Sequence, residues 1–126
     1  MKPHIFPFTI AFADTDAAGI VYYGRYAEIA ERARMNFVRD ATPQNSGFVI
    51  KELSVKYIKP LLLGDDFVVE SLITKLGGAS MSVEQKFVKN DDIHAVLNVT
   101  AVYIDNDKKP KRIPDELSKL LETIKQ

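Results

Sequence analysis

The sequence contains no cysteine, no tryptophan and only two histidines, His4 and His94. The absence of cysteine excludes disulfides, zinc–thiolate sites and a cysteine nucleophile. The two histidines are far apart in the sequence, so we expect neither a histidine-rich metal site nor a histidine-dependent catalytic triad. The sequence therefore predicts no metal centre.

Charge of one sign is also lacking, since 17 lysines and arginines balance 17 aspartates and glutamates. Proteins that bind nucleic acid non-specifically usually carry a basic excess, so we expect no nucleic-acid partner. No apolar run approaches the roughly 20 residues of a membrane span, and the opening residues lack the apolar core of a signal peptide. We expect a cytoplasmic protein, with residues 1–126 forming a single domain.

The first half of the chain is predicted to form a strand followed by a helix. In FTIAFAD (8–14), apolar and other residues alternate, which predicts a strand with Phe8, Ile10 and Phe12 on one face. The apolar spacing then changes to that of a helix, from Tyr22 to about Arg39. Small residues on its buried face would let a sheet approach this helix closely.

The second half of the chain is mostly strand. Four strands follow the helix, with a hairpin turn at Gly77-Gly78, a long central strand near residues 93–105 and a short C-terminal helix. The first of these four strands places its apolar residues on one face: Val49, Leu53, Val55 and Tyr57. One helix followed by antiparallel strands predicts an α+β fold, in which a curved sheet surrounds the first helix.

Residues 12–24, FADTDAAGIVYYG, place two carboxylates where the first strand gives way to the helix. The N–H groups at a helix N-terminus lack intrahelical partners and stabilise an oxyanion. Gly19 allows a sharp turn close to a ligand. A carboxylate at Asp16 beside such a site, as nucleophile or base, would suffice for acyl transfer. From these residues alone, helix capping is the stronger interpretation, and for Asp14 we expect a hydrogen-bonding turn residue and not a catalyst.

Three segments together resemble the 4-hydroxybenzoyl-CoA thioesterase family of hotdog-fold proteins. The most specific is DTDAAGIVYYGRYAEIAERAR (14–34), which is similar to the family's signature at the start of the central helix. The segments VKYIKPLLLGDDFVVES (55–71) and VYIDNDKKPKRIPDEL (102–117) extend the resemblance over nearly the whole chain. The resemblance implies a curved antiparallel sheet wrapped around a long central helix.

The resemblance also implies a reaction. Asp16 would act as nucleophile or general base on an acyl-CoA thioester, and the backbone N–H of Tyr23 would face the thioester oxygen, with Gly19 in the turn. No cofactor is implied. The family works as dimers or tetramers with sites at subunit interfaces, so a homodimer or homotetramer is expected.

Three tyrosines and one lysine are candidates for binding the substrate. Tyr22, Tyr26 and Tyr57 would line an acyl pocket, with core packing as the alternative for each. Lys59 would meet the CoA phosphates, with an ordinary solvated lysine as its alternative. Where some relatives carry a basic cluster after the third strand, this chain has only Lys75 before the turn.

Two further features concern the central helix. Gly24 stands where many relatives have a histidine. Glu31, Arg32 and Arg34 match the family's helix pattern. We expect Glu31 to form a salt bridge within or between subunits, with the ordering of water or a contact to a partner across the interface as its alternative.

The leading hypothesis is an acyl-CoA or acyl-carrier-protein thioesterase. The alternative is a non-catalytic module that binds acyl-CoA or acyl-carrier protein. A hotdog dehydratase ranks last, because such enzymes use a histidine and the predicted helix has none.

Overall fold

The computed structural model describes residues 2–126, which form a five-stranded antiparallel sheet and two α-helices. The strands lie in the order β1-β3-β4-β5-β2. Their bounds are β1 His4–Thr9, β2 Gly47–Tyr57, β3 Asp66–Leu76, β4 Ser80–Lys89 and β5 Asp92–Ile104. Helix α1, Arg25–Val38, follows β1, and α2, Asp115–Glu122, follows β5. The predicted α+β arrangement is confirmed.

The core lies between one face of the sheet and α1. Side chains alternate between the two faces of a strand, and every second residue of β3 and β4 is buried accordingly. On α1, Ala30 and Ala33 are fully buried, so the sheet packs close to the helix axis. Phe87 of β4 is also fully buried, and the centroid of its ring lies 5.3 Å from that of the Tyr26 ring.

The predicted central strand and C-terminal helix are confirmed. Strand β5 lies between β4 and β2. Helix α2 begins after Pro114 and buries Leu117 and Leu121 against a second part of the core that includes Val38. No helix within residues 2–126 is both long enough and apolar enough to cross a membrane.

The predicted first strand, residues 8–14, is displaced along the chain, because β1 already begins at His4. Strand β1 ends at Thr9, and Phe12 is 81% exposed in a 3-10 turn, Phe12–Asp14. The N–H of Ala11 donates to Asp14 Oδ2 at 2.9 Å, and the N–H of Thr15 donates to the carbonyl of Phe12. Such local bonds to an aspartate side chain compete with the strand ladder and end it.

The predicted helix begins too early. Ile20 and Val21 form isolated bridges with Leu62 and Thr15 instead of continuing into a helix. The N–H of Arg25 then donates to the carbonyl of Tyr22, and α1 starts at Arg25, 14 residues long. The bridge between Ile20 and Leu62 joins residues that are far apart in the chain, and helical periodicity does not reveal such a contact.

The predicted face of β2 is wrong for Val49. The ladder between β2 and β5 shifts register between Ile50 and Glu52. Val49 lies opposite Val102 on the outer face, whereas Leu53 lies opposite the buried Val99. A β-bulge inserts one residue and so exchanges the two faces of the strand beyond it.

Candidate active site

The loop between β1 and α1 is organised by Asp14, which is buried. Its Oδ1 lies 3.4 Å from Arg25 Nε, and its backbone carbonyl accepts the N–H of Tyr22 at 2.9 Å. Arg25 Nη2 donates to the carbonyl of Ala13 at 2.8 Å. These contacts tie the loop to the start of α1, so Asp14 has the hydrogen-bonding role expected of it.

Asp16 is exposed in the same loop and does not cap α1. Gly24 occupies the N-cap position, and no side chain makes a capping bond there. Asp16 Oδ1 instead accepts the N–H of Ala18 at 2.8 Å. Within residues 2–126, its second carboxylate oxygen forms no hydrogen bond or ion pair, so it is free to meet a ligand.

Gly19 holds a backbone conformation that suits glycine. Its φ is +78°, in the left-handed region, and an added Cβ would meet no atom within 4 Å. The need for glycine therefore comes from the backbone and not from crowding. The turn is fixed by the N–H of Gly19, which donates to the carbonyl of Asp16 at 3.0 Å.

Tyr23 lies in the turn just before α1. In the part of the chain that the structure describes, its N–H has no hydrogen-bond acceptor, while its carbonyl accepts the hydroxyl of Tyr57 at 2.8 Å. The N–H is thus a free donor at the helix entrance, although it precedes the first helical turn. The Tyr23 ring is 66% exposed and packs on Tyr22 at 4.7 Å.

A cleft of 350 Å³ opens beside this turn. Its lining residues are Ile20, Val21, Tyr23, Tyr26, Tyr57, Ile58, Lys59 and Pro60. The structure therefore brings together four residues predicted for the site: Tyr23, Tyr26, Tyr57 and Lys59. Asp16, Gly19 and Tyr22 do not line this cleft.

The tyrosines of the cleft combine packing with exposure. Tyr26 is buried, so core packing describes most of its ring, and burial raises the pKa of its hydroxyl. That hydroxyl lies 3.4 Å from the N–H of Leu61. Tyr57 meets Tyr26 edge-on at 5.2 Å and is half exposed, which leaves one ring surface for a ligand.

Lys59 borders the cleft with its ammonium group in solvent. Its Nζ lies 3.2 Å from Asp92 Oδ2, so the charge is partly matched already. Both partners are exposed, and an ion pair of this kind contributes little stability. Lys59 therefore remains free to contact an anionic ligand at the mouth of the cleft.

His94 holds the cleft wall in place, as a structural residue. Its Nδ1 lies 3.3 Å from the carbonyl oxygen of Pro60. Its own carbonyl accepts the N–H groups of Ile58 and Lys59 at 2.9 and 3.1 Å. Sequence reasoning missed this position in the wall, because the contact joins residues 34 apart in the chain.

Asp65 braces the loop beneath the cleft, and sequence reasoning did not single it out. Its Oδ1 accepts Lys89 Nζ and its Oδ2 accepts the N–H of Leu62, both at 2.8 Å. Burial alone would raise the pKa of Asp65, but these bonds outweigh it and lower the pKa overall. The signal that could have found Asp65 is the pair Gly64-Asp65 in residues 55–71, the second segment that resembles the family.

Comparison with known proteins gives the family. A family model described as the thioesterase-like superfamily matches residues 10–121. The chain is 30% identical over 129 residues to the acyl-CoA thioesterase YbgC of Haemophilus influenzae, covering 95% of each protein.

Solved structures agree with this result. A probable thioesterase from Bartonella henselae superposes with a TM-score of 0.82 at 28% identity, over 89% of this chain and 99% of that one. A gentisyl-coenzyme A thioesterase superposes with a TM-score of 0.83 at 28% identity, over 89% of this chain and 97% of that one. The chain belongs to the thioesterase-like superfamily, with the hotdog fold.

Proposed function

We propose that this chain hydrolyses acyl-CoA thioesters to a free carboxylic acid and a thiol, and that one domain over residues 1–126 carries the activity. The observation that carries the proposal is that one loop holds a free carboxylate, Asp16, and a free backbone donor, the Tyr23 N–H, and that Tyr23 lines an apolar cleft. The family membership supports thioester hydrolysis.

Asp16 acts on the thioester carbon by one of two routes. As nucleophile, its carboxylate forms an anhydride with the acyl group and expels the CoA thiolate, and water then cleaves the anhydride. As general base, it takes a proton from a water molecule that attacks the same carbon. Oxygen-18 from solvent under single-turnover conditions distinguishes them, because only the anhydride route can leave label in Asp16.

The Tyr23 N–H stabilises the negative charge that develops on the thioester oxygen. A donor with no competing acceptor costs little to reorganise when that charge appears. The bond from the Tyr57 hydroxyl to the Tyr23 carbonyl restrains the backbone of Tyr23 and with it the direction of the Tyr23 N–H. Gly19 supplies the turn between Asp16 and this donor.

The acyl group binds in the cleft that Tyr23, Tyr26 and Tyr57 line, and Tyr22 packs on Tyr23 outside that lining. Aromatic rings offer an apolar surface with a few polar atoms, which is the usual character of a small-molecule site. Lys59 binds a phosphate of CoA at the mouth. Gentisyl-CoA, the substrate named for the relative of known structure, has an aromatic acyl group, and we include aromatic and aliphatic acyl-CoAs in the test panel.

We also propose that the active unit is a homodimer, or a homotetramer built from such dimers. Strand β2 is a long edge strand, and unpaired edge strands in proteins are normally covered. Its exposed apolar residues next to α1 include Ile50, Leu53 and Tyr57. Asp16 does not line the cleft of its own chain, and in the proposed dimer the second copy closes the site around the substrate.

A non-catalytic acyl-CoA or acyl-carrier-protein binding module remains the second candidate, because Asp16 lies outside the cleft lining. A thiol-release assay over a panel of acyl-CoA and acyl-carrier-protein substrates decides between them. Turnover abolished by Asp16→Asn supports the thioesterase, whereas binding without turnover in the wild-type protein refutes it. The cytoplasmic location stays a prediction, to be checked by cell fractionation.

A further inference from the structure

Arg34 of α1 is held in a fixed orientation by buried groups. Its Nη1 donates to Gln85 Oε1 at 2.8 Å. Gln85 is fully buried, and its Nε2 donates to the carbonyl of Ala30 at 2.9 Å and to Ser71 Oγ at 3.1 Å. A fully bonded amide thus anchors one edge of the guanidinium, and Arg34 also lines a cleft of 100 Å³ between α1 and β2.

The charge of this guanidinium is not matched by a salt bridge in the part of the chain that the structure describes. Within residues 2–126, no carboxylate forms a salt bridge with Arg34. Burial lowers the pKa of Arg34, and the charge of Glu31 acts in the opposite direction. Removing a charge from water is costly unless it is paired. A nearby carboxylate would therefore stabilise this half-buried guanidinium.

Glu31 is the natural counterpart. It is exposed one helical turn before Arg34, borders the same cleft and likewise forms no salt bridge in the described chain. We propose that these two residues pair reciprocally across the two-fold axis of a homodimer, so that Arg34 of each copy binds Glu31 of the other. The inference rests on the homodimer proposed above, and it names the contact that sets the register.

The positions of the two residues suit a two-fold contact. In a symmetric dimer, when residue i of one copy contacts residue j of the other, j also contacts i. For a pair of antiparallel helices that contact through residues 31 and 34, the axis passes α1 between Arg32 and Ala33. The same two-fold axis must relate the two copies of α1 and the two copies of the neighbouring strand β2.

Strand β2 places its own centre at the same level. Tyr26 contacts Tyr57, and Val38 borders the same cleft as Phe48, so α1 and β2 run side by side in opposite directions. The middle of that helical stretch is residue 32, and the middle of the strand is Glu52. An axis that pairs two β2 edges at their centres therefore passes beside Glu31 and Arg34.

The surroundings have the character of a subunit interface. Met35, Ile50 and Leu53 are 52%, 38% and 45% exposed, and they flank the cleft or lie next to it. Covering these apolar side chains would remove water from the ion pair as well. Interfaces commonly bury an apolar centre in which arginine is enriched.

An anionic small molecule fits the cleft less well than a second copy. Glu31 borders the cleft, and its negative charge would repel a free carboxylate or phosphate approaching Arg34. A second copy brings its own Arg34 to neutralise Glu31, so both charges are matched together. The remaining possibility is a salt bridge between the two residues of one chain, three positions apart on α1.

Charge reversal separates these cases. Glu31→Arg and Arg34→Glu each place like charges opposite one another, twice per dimer, and the dimer dissociation constant should rise on the order of a hundredfold or more. An equimolar mixture of the two variants should form a heterodimer of near wild-type affinity, because both contacts then join opposite charges. Analytical ultracentrifugation measures each constant, and Arg32→Glu, an exposed neighbour on α1, is the matched control.

The mixing experiment distinguishes pairing between chains from pairing within one chain. Each single variant carries like charges at both positions, so an intrachain bridge gives no recovery on mixing, and that result overturns the inference. A Glu31→Arg dimer as tight as wild type also overturns it, and this exposed position leaves the fold intact even if Arg34→Glu does not fold. A wild-type protein that is monomeric would instead refute the homodimer itself.

Discussion

The two ends of helix α1 differ in how their polar groups are satisfied. At the N-terminal end, Asp16 keeps a carboxylate oxygen free and Tyr23 keeps a free N–H, both in a loop. Toward the C-terminal end, Gln85 is fully buried and fully bonded, and Ala33 packs against the sheet without exposure. Unsatisfied groups on a loop held by a rigid scaffold are typical of chemistry, whereas the satisfied ones indicate a structural role.

The loop itself repeats this contrast over three residues. Asp14 is buried, bonded to Ala11 and paired with Arg25, whereas Asp16 is exposed with one oxygen unused. Two acids of identical chemistry thus have different surroundings, and we expect different roles for them. Substitutions at the two ends of α1 should therefore separate activity from stability.

The largest effect is expected for Asp16→Asn. Asparagine can keep the bond to the N–H of Ala18 but supplies no carboxylate, so the fold and oligomeric state should persist. Turnover should fall on the order of 10²–10⁴-fold, which corresponds to roughly 3–5 kcal/mol of transition-state stabilisation. Thiol release under saturating acyl-CoA measures it.

Asp14→Asn is the control for that variant. It should lose less activity than Asp16→Asn, and its main effect should be a lower melting temperature, because the contact with Arg25 is weakened. If Asp16→Asn retains turnover within a few-fold of wild type, the catalytic assignment of Asp16 is wrong.

At the opposite end of the molecule, Leu121→Ala should affect stability alone. Leu121 is 1% exposed and packs in the part of the core that contains Val38. Truncation leaves a cavity that costs about 2–5 kcal/mol of unfolding free energy, measured by urea denaturation. Turnover per folded molecule should stay at the wild-type value, and the half-buried Leu120 provides a milder control. A proportionate loss of turnover in folded protein would show that the two ends are coupled.

Gly19→Val should damage the site more than the fold. A β-branched residue at a φ of +78° is strained, at a cost of about 1–3 kcal/mol, which the loop can relieve by moving Asp16. We expect turnover to fall by roughly tenfold or more, with a smaller change in melting temperature. Gly47→Val is the matched control, since Gly47 has no positive φ and also no atom within 4 Å of an added Cβ. Wild-type turnover in a folded Gly19→Val protein would remove Gly19 from the site.

The smallest effect is expected for Tyr57→Phe. The change deletes one hydrogen bond, from the hydroxyl to the carbonyl of Tyr23, and such a bond contributes about 0.5–1.5 kcal/mol. The value of kcat should fall a few-fold, because the free Tyr23 N–H loses its fixed orientation. Tyr103→Phe removes a bond to Ser46, which does not line the 350 Å³ cleft beside Tyr23. This change should leave kcat unchanged. Equal effects of the two substitutions would argue against a positioning role for Tyr57.

Much of the fold follows from local patterns in the sequence. A long run with apolar residues on both faces predicted β5, the pair Gly77-Gly78 predicted the hairpin of β3 and β4, and helical spacing predicted α1 and α2. The turn at Gly19 was also predicted, because glycine has a strong local preference for turns. The roles assigned to Asp16 and Tyr23 remain predictions.

The tertiary structure decided what depends on contacts between distant parts of the chain. The bridge between Ile20 and Leu62 delayed the start of α1, and the bulge after Ile50 moved Val49 to the outer face. Only the folded chain brings Tyr57 and Lys59 to the turn at Tyr23, and only there does partial burial lower the pKa of Arg34. The sequence by itself determined which segments form helices and strands, since periodicity is local. Pairing, register and desolvation were left to the tertiary structure, because they arise between residues that are far apart in the chain.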